Sequence, residues 1–306
     1  MASYLITGGT GLIGSALSNY LLNAGHDVII WTRRPNSVAQ LYGSQVVAVS
    51  SLDHISPHTT VDGVINLAGA AIADRPWTAT RKAILEQSRI ALTSSIIKWL
   101  SARQRKPSVL VSGSAVGWYG DRGDTFLTES SHCHDEYTHQ LCNQWEQQAL
   151  RANELGIRTC IVRTGLVLAH NGGFLNRLLL PFKIGLGGRL GSGQQYMSWI
   201  HLQDMIKLIH FLLETNTADG VFNACSPYPV TNKQFTHALA KQLRRPAIIP
   251  LPSWLLKLIL GEMSCLLVSG QRVIPEKAQA QGFQFDYTEL DSALADTLST
   301  NKKNNT

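Results

Sequence analysis

The sequence predicts a doubly wound α/β fold, a parallel sheet with helices on both faces, joined to a smaller C-terminal α+β domain. Three observations carry that prediction. Short apolar runs alternate with helical patterns over the first two thirds of the chain, as βαβ units do. Three glycines, Gly8, Gly11 and Gly14, stand between the first apolar run and the first helical pattern. The 306 residues also exceed the roughly 150 of an average domain. They divide into a larger domain over 1–225, a small one over 226–300 and a polar tail at 301–306 that reads as disordered.

Residues 3–7 are apolar and end at glycine, the pattern of a strand buried on both faces. Residues 12–24 place Leu17 and Leu21 one helical turn apart, and Gly25 supplies the stop. Residues 27–32 give the second strand, and 45–49, 61–67, 108–112 and 158–163 give further ones. Helical stretches lie at 78–103, expected to break once, and at 136–155. Beyond Gly165 the pattern loosens. Residues 170–196 hold seven glycines and read as a long glycine-rich loop that covers a site. Helices follow at 205–214 and near 290–298, with a strand at 221–224. The apolar stretch 254–270 contains Lys257 and Glu262, which argues for a packed helix rather than a membrane span. Its apolar residues at 254–256 and 258–260 are expected to form the core of the smaller domain.

Hydrophobic residues make up 44% of the chain and charged residues 16%, which excludes a wholly disordered protein. Lys and Arg number 27 against 21 Asp and Glu, a net charge of +6. The basic spots, Arg33 with Arg34, residues 103–106, and Arg244 with Arg245, are short and far apart in sequence. That balance suits anionic small molecules and gives no basic face for nucleic acid. Five cysteines without a Cys-x-x-Cys pair suit a reducing compartment, and the N-terminus lacks a signal-peptide pattern. The expectation is a soluble cytoplasmic protein with a small-molecule substrate, no nucleic acid and no membrane. Its oligomeric state is left open, a dimer included.

The segment Gly8, Gly9, Thr10, Gly11, Leu12, Ile13 and Gly14 has the form of a Rossmann-like dinucleotide loop. Gly8 permits the turn, Gly11 lets backbone N–H groups approach a pyrophosphate, and Gly14 lets the helix pack closely. The helix amino terminus then offers donors and a positive dipole end to the phosphates. Sites for NAD carry an acid about 20 residues after the glycines. Here Thr32, Arg33 and Arg34 stand at that point with no acid. Arginine suits the 2′-phosphate of NADP, so NADP is the expected cofactor. The exit of the fourth strand through Leu67, Ala68 and Gly69 gives the chain a small-residue passage beside the cofactor.

With these residues in view, the chain resembles the short-chain dehydrogenase/reductase superfamily. Residues 7–14 look like its extended-type cofactor loop, and Asn66, Leu67, Ala68 and Gly69 like its Asn-Asn-Ala-Gly motif. The match is closer to the atypical epimerase-family proteins of the YfcH type. It rests on residues 72–78, Gln87-Ser88-Arg89, the run 112–120, His139 to Cys142 with Trp145 and Glu146, the run 163–168, and Trp199-Ile200-His201. The segment from Ser226 to Arg272 resembles that family's small C-terminal domain. The resemblance implies an NADP(H)-binding, epimerase- or dehydratase-like oxidoreductase on an unidentified small substrate. The alternative is a non-catalytic NADP-binding regulator or interaction protein. It also implies that Arg89, Ser112 and Gly165 lie beside the cofactor.

Extended members use Ser or Thr, Tyr and Lys, with the last two spaced Tyr-x-x-x-Lys. Ser114 matches the serine. Tyr137 stands near the tyrosine place, yet the residue four further on is Leu141. Counting back from Glu146 instead aligns Thr138 and Cys142. Neither count finds a lysine. Without a nearby cation, Tyr137 keeps an expected pKa of about 10. Ser114, Tyr119 and Tyr137 are therefore the candidate catalytic residues. The His132, Cys133, His134, His139 and Cys142 group lacks zinc-site spacing, and no metal is expected.

Overall fold

The computed structural model describes residues 1–170 and 172–299; the expected tail at 301–306 lies outside the described residues. The chain opens with β1 (Ser3–Thr7), α1 (Leu12–Asn23), β2 (Asp27–Trp31), α2 (Pro35–Tyr42), β3 (Val46–Val49) and β4 (Gly63–Asn66). Next come α3 (Ala79–Glu86), a π turn (Gln87–Ala91) and α4 (Leu92–Ala102), the helical stretch expected there with its one break at the π turn. Then follow β5 (Val109–Ala115), β6 (Phe126–Leu127), α5 (Tyr137–Leu150), β7 (Arg158–Thr164) and β8 (Leu166–Leu168). After α6 (Gly173–Lys183) the chain runs through β9 (Tyr196–Met197), β10 (Trp199–His201), α7 (Leu202–Glu214) and β11 (Gly220–Ala224). The C-terminal part holds β12 (Val230–Thr231), α8 (Asn232–Leu243), α9 (Ser253–Leu260), α10 (Cys265–Val268), β13 (Arg272–Val273), α11 (Glu276–Ala280) and α12 (Leu290–Ser299).

Seven strands form one sheet in the order β3-β2-β1-β4-β5-β7-β11, with every neighbouring pair parallel. Alternate strand residues face opposite layers. Tyr4 and Ile6 pack in one core with Leu17 and Leu21 of α1 and Leu208 and Leu212 of α7. Leu5 packs in the other with Ile96 and Leu100 of α4 and Ala149 of α5. The strand order turns back between β1 and β4. In an open α/β sheet that switch point makes a crevice beyond the strands' carboxyl ends.

The stretch 170–196 differs from the expected loop. Residues 173–183 form α6, and its Leu175, Leu179 and Phe182 enter a third core with Trp199, Phe235 of α8 and Leu294 of α12. The i, i+4, i+7 spacing of those three residues is a helical face. The flanking glycines hid it. The stretch 254–260 also differs: only Leu256 is buried, whereas Trp254, Leu258 and Ile259 are 68%, 75% and 62% exposed. The C-terminal part packs through α8 and α12 into that third core instead. It is mostly helical, and its two short strands pair with β9 and β6. Asp204 of α7 clamps it to the sheet by accepting the Asp286 and Tyr287 N–H groups at 2.9 and 3.0 Å. Among the described residues no helix is long and apolar enough to cross a membrane.

If α6 is a packed helix, Leu175→Ala should lower unfolding stability by about 2–5 kcal/mol in urea titration. A loop would tolerate the change within about 0.5 kcal/mol, and that result would contradict the assignment.

Candidate functional site

The glycine loop joins β1 to α1 at the switch point. Gly8 has a φ of +74°, and a Cβ on it would lie 2.8 Å from the Leu67 carbonyl. A Cβ on Gly14 would lie 2.2 Å from the Gly8 carbonyl oxygen. The first turn of α1 thus sits on the loop itself, a closer partner than the sheet. The Gly11 N–H donates to the Gly8 carbonyl at 2.9 Å, and the Tyr42 hydroxyl donates to the Gly9 carbonyl at 2.7 Å. Gly11 is the N-cap, α1 has no side-chain cap, and no acid stands in its first turn. The amino-terminal N–H groups at Leu12, Ile13 and Gly14 are therefore left for an anion. Thr10 and Gly11 are exposed. This cradle fits a dinucleotide pyrophosphate.

Beyond β2, the Thr32 hydroxyl accepts the Arg34 N–H at 3.1 Å. Arg33 and Arg34 are exposed. Neither has an ion-pair partner among the described residues. Across the switch point, Asn66 is fully buried. It accepts from the Thr7 hydroxyl at 2.9 Å and donates to Thr93 and Ser112 at 2.8 and 3.1 Å. Thr7 also accepts the Ala68 N–H at 3.2 Å, which fixes the strand exit at Leu67 and Ala68. The hydroxyl of Ser112 thus serves this buried network; it does not face the crevice. Arg89 sits in the π turn with its guanidinium against Gly69. It donates to the Ala70 and Leu85 carbonyls at 3.0 and 3.2 Å. Arg89 therefore braces the β4 exit from behind.

The ends of β5 and β7 lie side by side, with Ser114 opposite Arg163. The Arg163 Nε and Nη2 donate to Glu146 Oε1 and Oε2 at 2.9 and 2.8 Å, and its guanidinium stacks 3.4 Å from the Trp118 ring centre. The Ser114 hydroxyl donates to the same Glu146 Oε1 at 2.5 Å. Both charges are nearly sealed, at 3% and 4% exposure, so each needs the other. Ser114 therefore commits its hydroxyl hydrogen bond to a buried carboxylate.

The two tyrosines fall elsewhere. Tyr119 is fully buried, and its hydroxyl faces Asn223 Oδ1 at 2.8 Å and the Thr128 carbonyl at 3.0 Å. Burial pushes its pKa up to about 12. It bolts elements together away from the crevice. Tyr137 stands edge-on to Trp77 at 5.0 Å, with the Lys82 ammonium 4.4 Å from its ring centre. Its hydroxyl is buried without a partner. Desolvation raises its pKa, the wrong direction for a base at neutral pH. Neither tyrosine is positioned as the sequence reading required.

One residue further along α5 the chain faces a cavity of about 240 Å³ at the sheet's carboxyl edge. Thr138 and Cys142 line it, together with Ala115, Gly117, Thr164, Gly165 and the apolar Val116, Leu166, Phe174, Met197 and Leu266. The count back from Glu146 thus gives the residues that face the cavity. Glu136, which sequence reasoning missed, lines it too and is the one carboxylate among the described lining residues. It holds the N-cap position of α5 but makes no cap bond. Its Oε1 instead accepts the Thr138 hydroxyl at 2.6 Å. Burial pushes the Cys142 thiol up to about 11, so it stays protonated.

Two other features contain none of the residues of the glycine cradle, although Tyr196 lines both the first of them and the cavity. An open groove of about 1280 Å³ on the outer side of α8 includes neither the glycine loop nor the ends of β5 and β7. His26, His210 and Glu214 bring ligand atoms within 4.8 Å of one another. There the Tyr4 hydroxyl already holds Glu214 at 2.8 Å, and the Ala2 N–H holds His26 at 3.3 Å.

A family model described as the NAD dependent epimerase/dehydratase family matches residues 4–225. This chain belongs to that family. A second model, DUF1731, a domain of unknown function, matches residues 251–297. The epimerase family protein MW0731 of Staphylococcus aureus strain MW2 is 39% identical over 302 residues, covering 97% of this chain and 99% of that one. The crystal structure of human epimerase family protein SDR39U1 with NADPH superposes at a TM-score of 0.89 and 32% identity, covering 97% of this chain and 99% of that one. A nucleoside-diphosphate sugar epimerase from Corynebacterium glutamicum gives a TM-score of 0.79 at 28% identity, over 98% of this epimerase-family chain and 58% of the longer one.

Arg163→Met should cost about 3–5 kcal/mol by stranding Glu146, and adding Glu146→Leu should restore most of it. Equal losses in the single and double variants would contradict the buried pair. Tyr137→Phe should leave stability unchanged or raise it by up to about 1–3 kcal/mol, because it removes an unpaired buried hydroxyl. A clear loss in thermal unfolding would show that the hydroxyl has a partner.

Proposed function

We propose that this protein binds NADP(H) in the glycine cradle and acts as an oxidoreductase on a small carbonyl or alcohol held in the cavity at the sheet edge. One observation carries the reading: the closely packed Gly8–Gly14 cradle stands beside two exposed arginines, with no acid at the end of β2. The amino end of α1 suits the pyrophosphate, and Arg33 or Arg34 suits the 2′-phosphate through charge-assisted hydrogen bonds. The NADPH in the human relative's structure supports the same choice.

When bound, the nicotinamide donates a hydride to a carbonyl carbon or takes one from a carbinol carbon. The chain's part is to hold the substrate and handle the proton on its oxygen. Thr138 and Glu136 form a hydrogen-bonded pair on the cavity wall, so Glu136 takes the proton that the Tyr and Lys of extended relatives handle elsewhere. A second reading, a non-catalytic NADP(H) binder, is favoured by the turned-away Tyr137 hydroxyl.

Fluorescence titration separates NADP(H) from NAD(H). NADPH should bind at least about tenfold tighter than NADH, and Arg33→Ala with Arg34→Ala should remove that preference, since a hydrogen bond to a charged group contributes about 1.5–3 kcal/mol. Equal affinity for the two would contradict the cofactor choice. With a turned-over carbonyl, Glu136→Gln should slow the reaction by about 100-fold or more without changing NADPH affinity. Tight NADPH binding with no turnover of any carbonyl would favour the binder.

A further inference from the structure

Resting on that reading, the cavity wall narrows the class of substrate. Much of the wall is apolar: Val116, Leu166, Phe174, Met197 and Leu266 all contribute. Among the described lining residues there is no Lys, Arg or His, and the one charge is the Glu136 carboxylate. A diphosphate needs cations or convergent N–H donors. The amino end of α1, which supplies such donors, is taken by the cofactor in this reading. The Glu136 carboxylate adds negative charge to this wall and so disfavours a second anion.

Size points the same way. The space is about 240 Å³, below the roughly 300–1,000 Å³ usual for drug-sized ligands. Arg177 of α6 donates to the Ala73 carbonyl at 2.6 Å and pairs with Asp74, which fixes the segment carrying the lining residue Ile72. One lining residue carries a sealed, unmet acceptor. Gln195 commits its Nε2 to the Leu190 and Leu267 carbonyls at 2.9 and 2.7 Å, and its Oε1 is buried with no partner. An acceptor in that state calls for a donor such as a hydroxyl.

We infer that the substrate of this protein is an uncharged, mainly apolar carbonyl compound or alcohol, and not a nucleoside-diphosphate sugar. In reduction, the carbonyl carbon gains the hydride of NADPH, its oxygen gains one proton that solvent supplies through Glu136 and the Thr138 hydroxyl, and NADP⁺ and the alcohol leave.

The test is calorimetric titration of the NADPH-loaded protein with cyclohexanone, benzaldehyde, UDP-glucose and a simple alkyl amine, after NADPH binding itself has been measured. The inference expects saturable binding of at least one of the two carbonyls and at least tenfold weaker binding of UDP-glucose and of the amine. Leu266→Trp, which fills the cavity from α10, should reduce carbonyl binding at least tenfold and leave NADPH affinity within twofold. UDP-glucose binding as tightly as either carbonyl overturns the inference, as does tight binding of the amine or no binding of either carbonyl. Failure of NADPH to bind at the outset overturns the cofactor reading instead, so the two failures are distinct.

Discussion

Asn66 lies sealed at the carboxyl end of β4, and three elements meet on its carboxamide. The Thr7 hydroxyl comes from β1, Ser112 from β5 and Thr93 from α4, while the Trp145 indole of α5 donates to the same Thr93 hydroxyl at 3.1 Å. Each partner is polar and buried, and each would carry a desolvation penalty if left unpaired. The network therefore sets the relative heights of β1, β4 and β5 at the one place where the sheet order turns back. Thr7 extends it to the Ala68 N–H, and the Gly8 loop rests against the Leu67 carbonyl with no room for a Cβ. The cradle and the β4 exit are positioned as one body. A dinucleotide laid across them meets prearranged donors without an ordering cost to the loop.

The second constraint lies at the ends of β5 and β7. A Tyr and Lys on one helix face give the extended relatives an exposed acid and base. Here the corresponding face of α5 presents Thr138 and Cys142 to the cavity, and its next turn presents Glu146 to Arg163 and Ser114. The strongest charges at this edge are thus consumed in holding the strands together. Glu136 is left as the one charged residue among the described residues that line the cavity. Structure and chemistry are separated along a single helix: buried ion pair on one turn, cavity wall on the turn before.

Much of this was legible in the sequence, wherever a local rule decided the outcome. The alternation through Tyr4, Leu5 and Ile6 marks a strand buried on both faces, and the glycine spacing 8, 11, 14 marks the turn into α1, because backbone space at those points admits no side chain. The absence of an acid beside Arg33 is likewise a local fact. What failed depended on facing. The helix α5 is too polar for its hydrophobic pattern to fix which residue points inward, so the sequence reading chose Tyr137, whereas Trp77 claims the tyrosine and Thr138 faces the cavity. Ser112 and Tyr119 looked like site residues because they end or follow the strand expected at 108–112, yet Asn66 and Asn223 bond their hydroxyls. The helix α6 was masked by flanking glycines, and Trp254 was expected in a core that α8 and α12 already fill.

The most direct measurement is a crystal structure of the protein with NADPH. The account predicts the pyrophosphate on the N–H groups at Leu12 to Gly14, the 2′-phosphate on Arg33 or Arg34, and the nicotinamide ring opening onto the cavity between Val116 and Gly165. A 2′-phosphate without an arginine contact, or a nicotinamide ring directed away from that cavity, would contradict it.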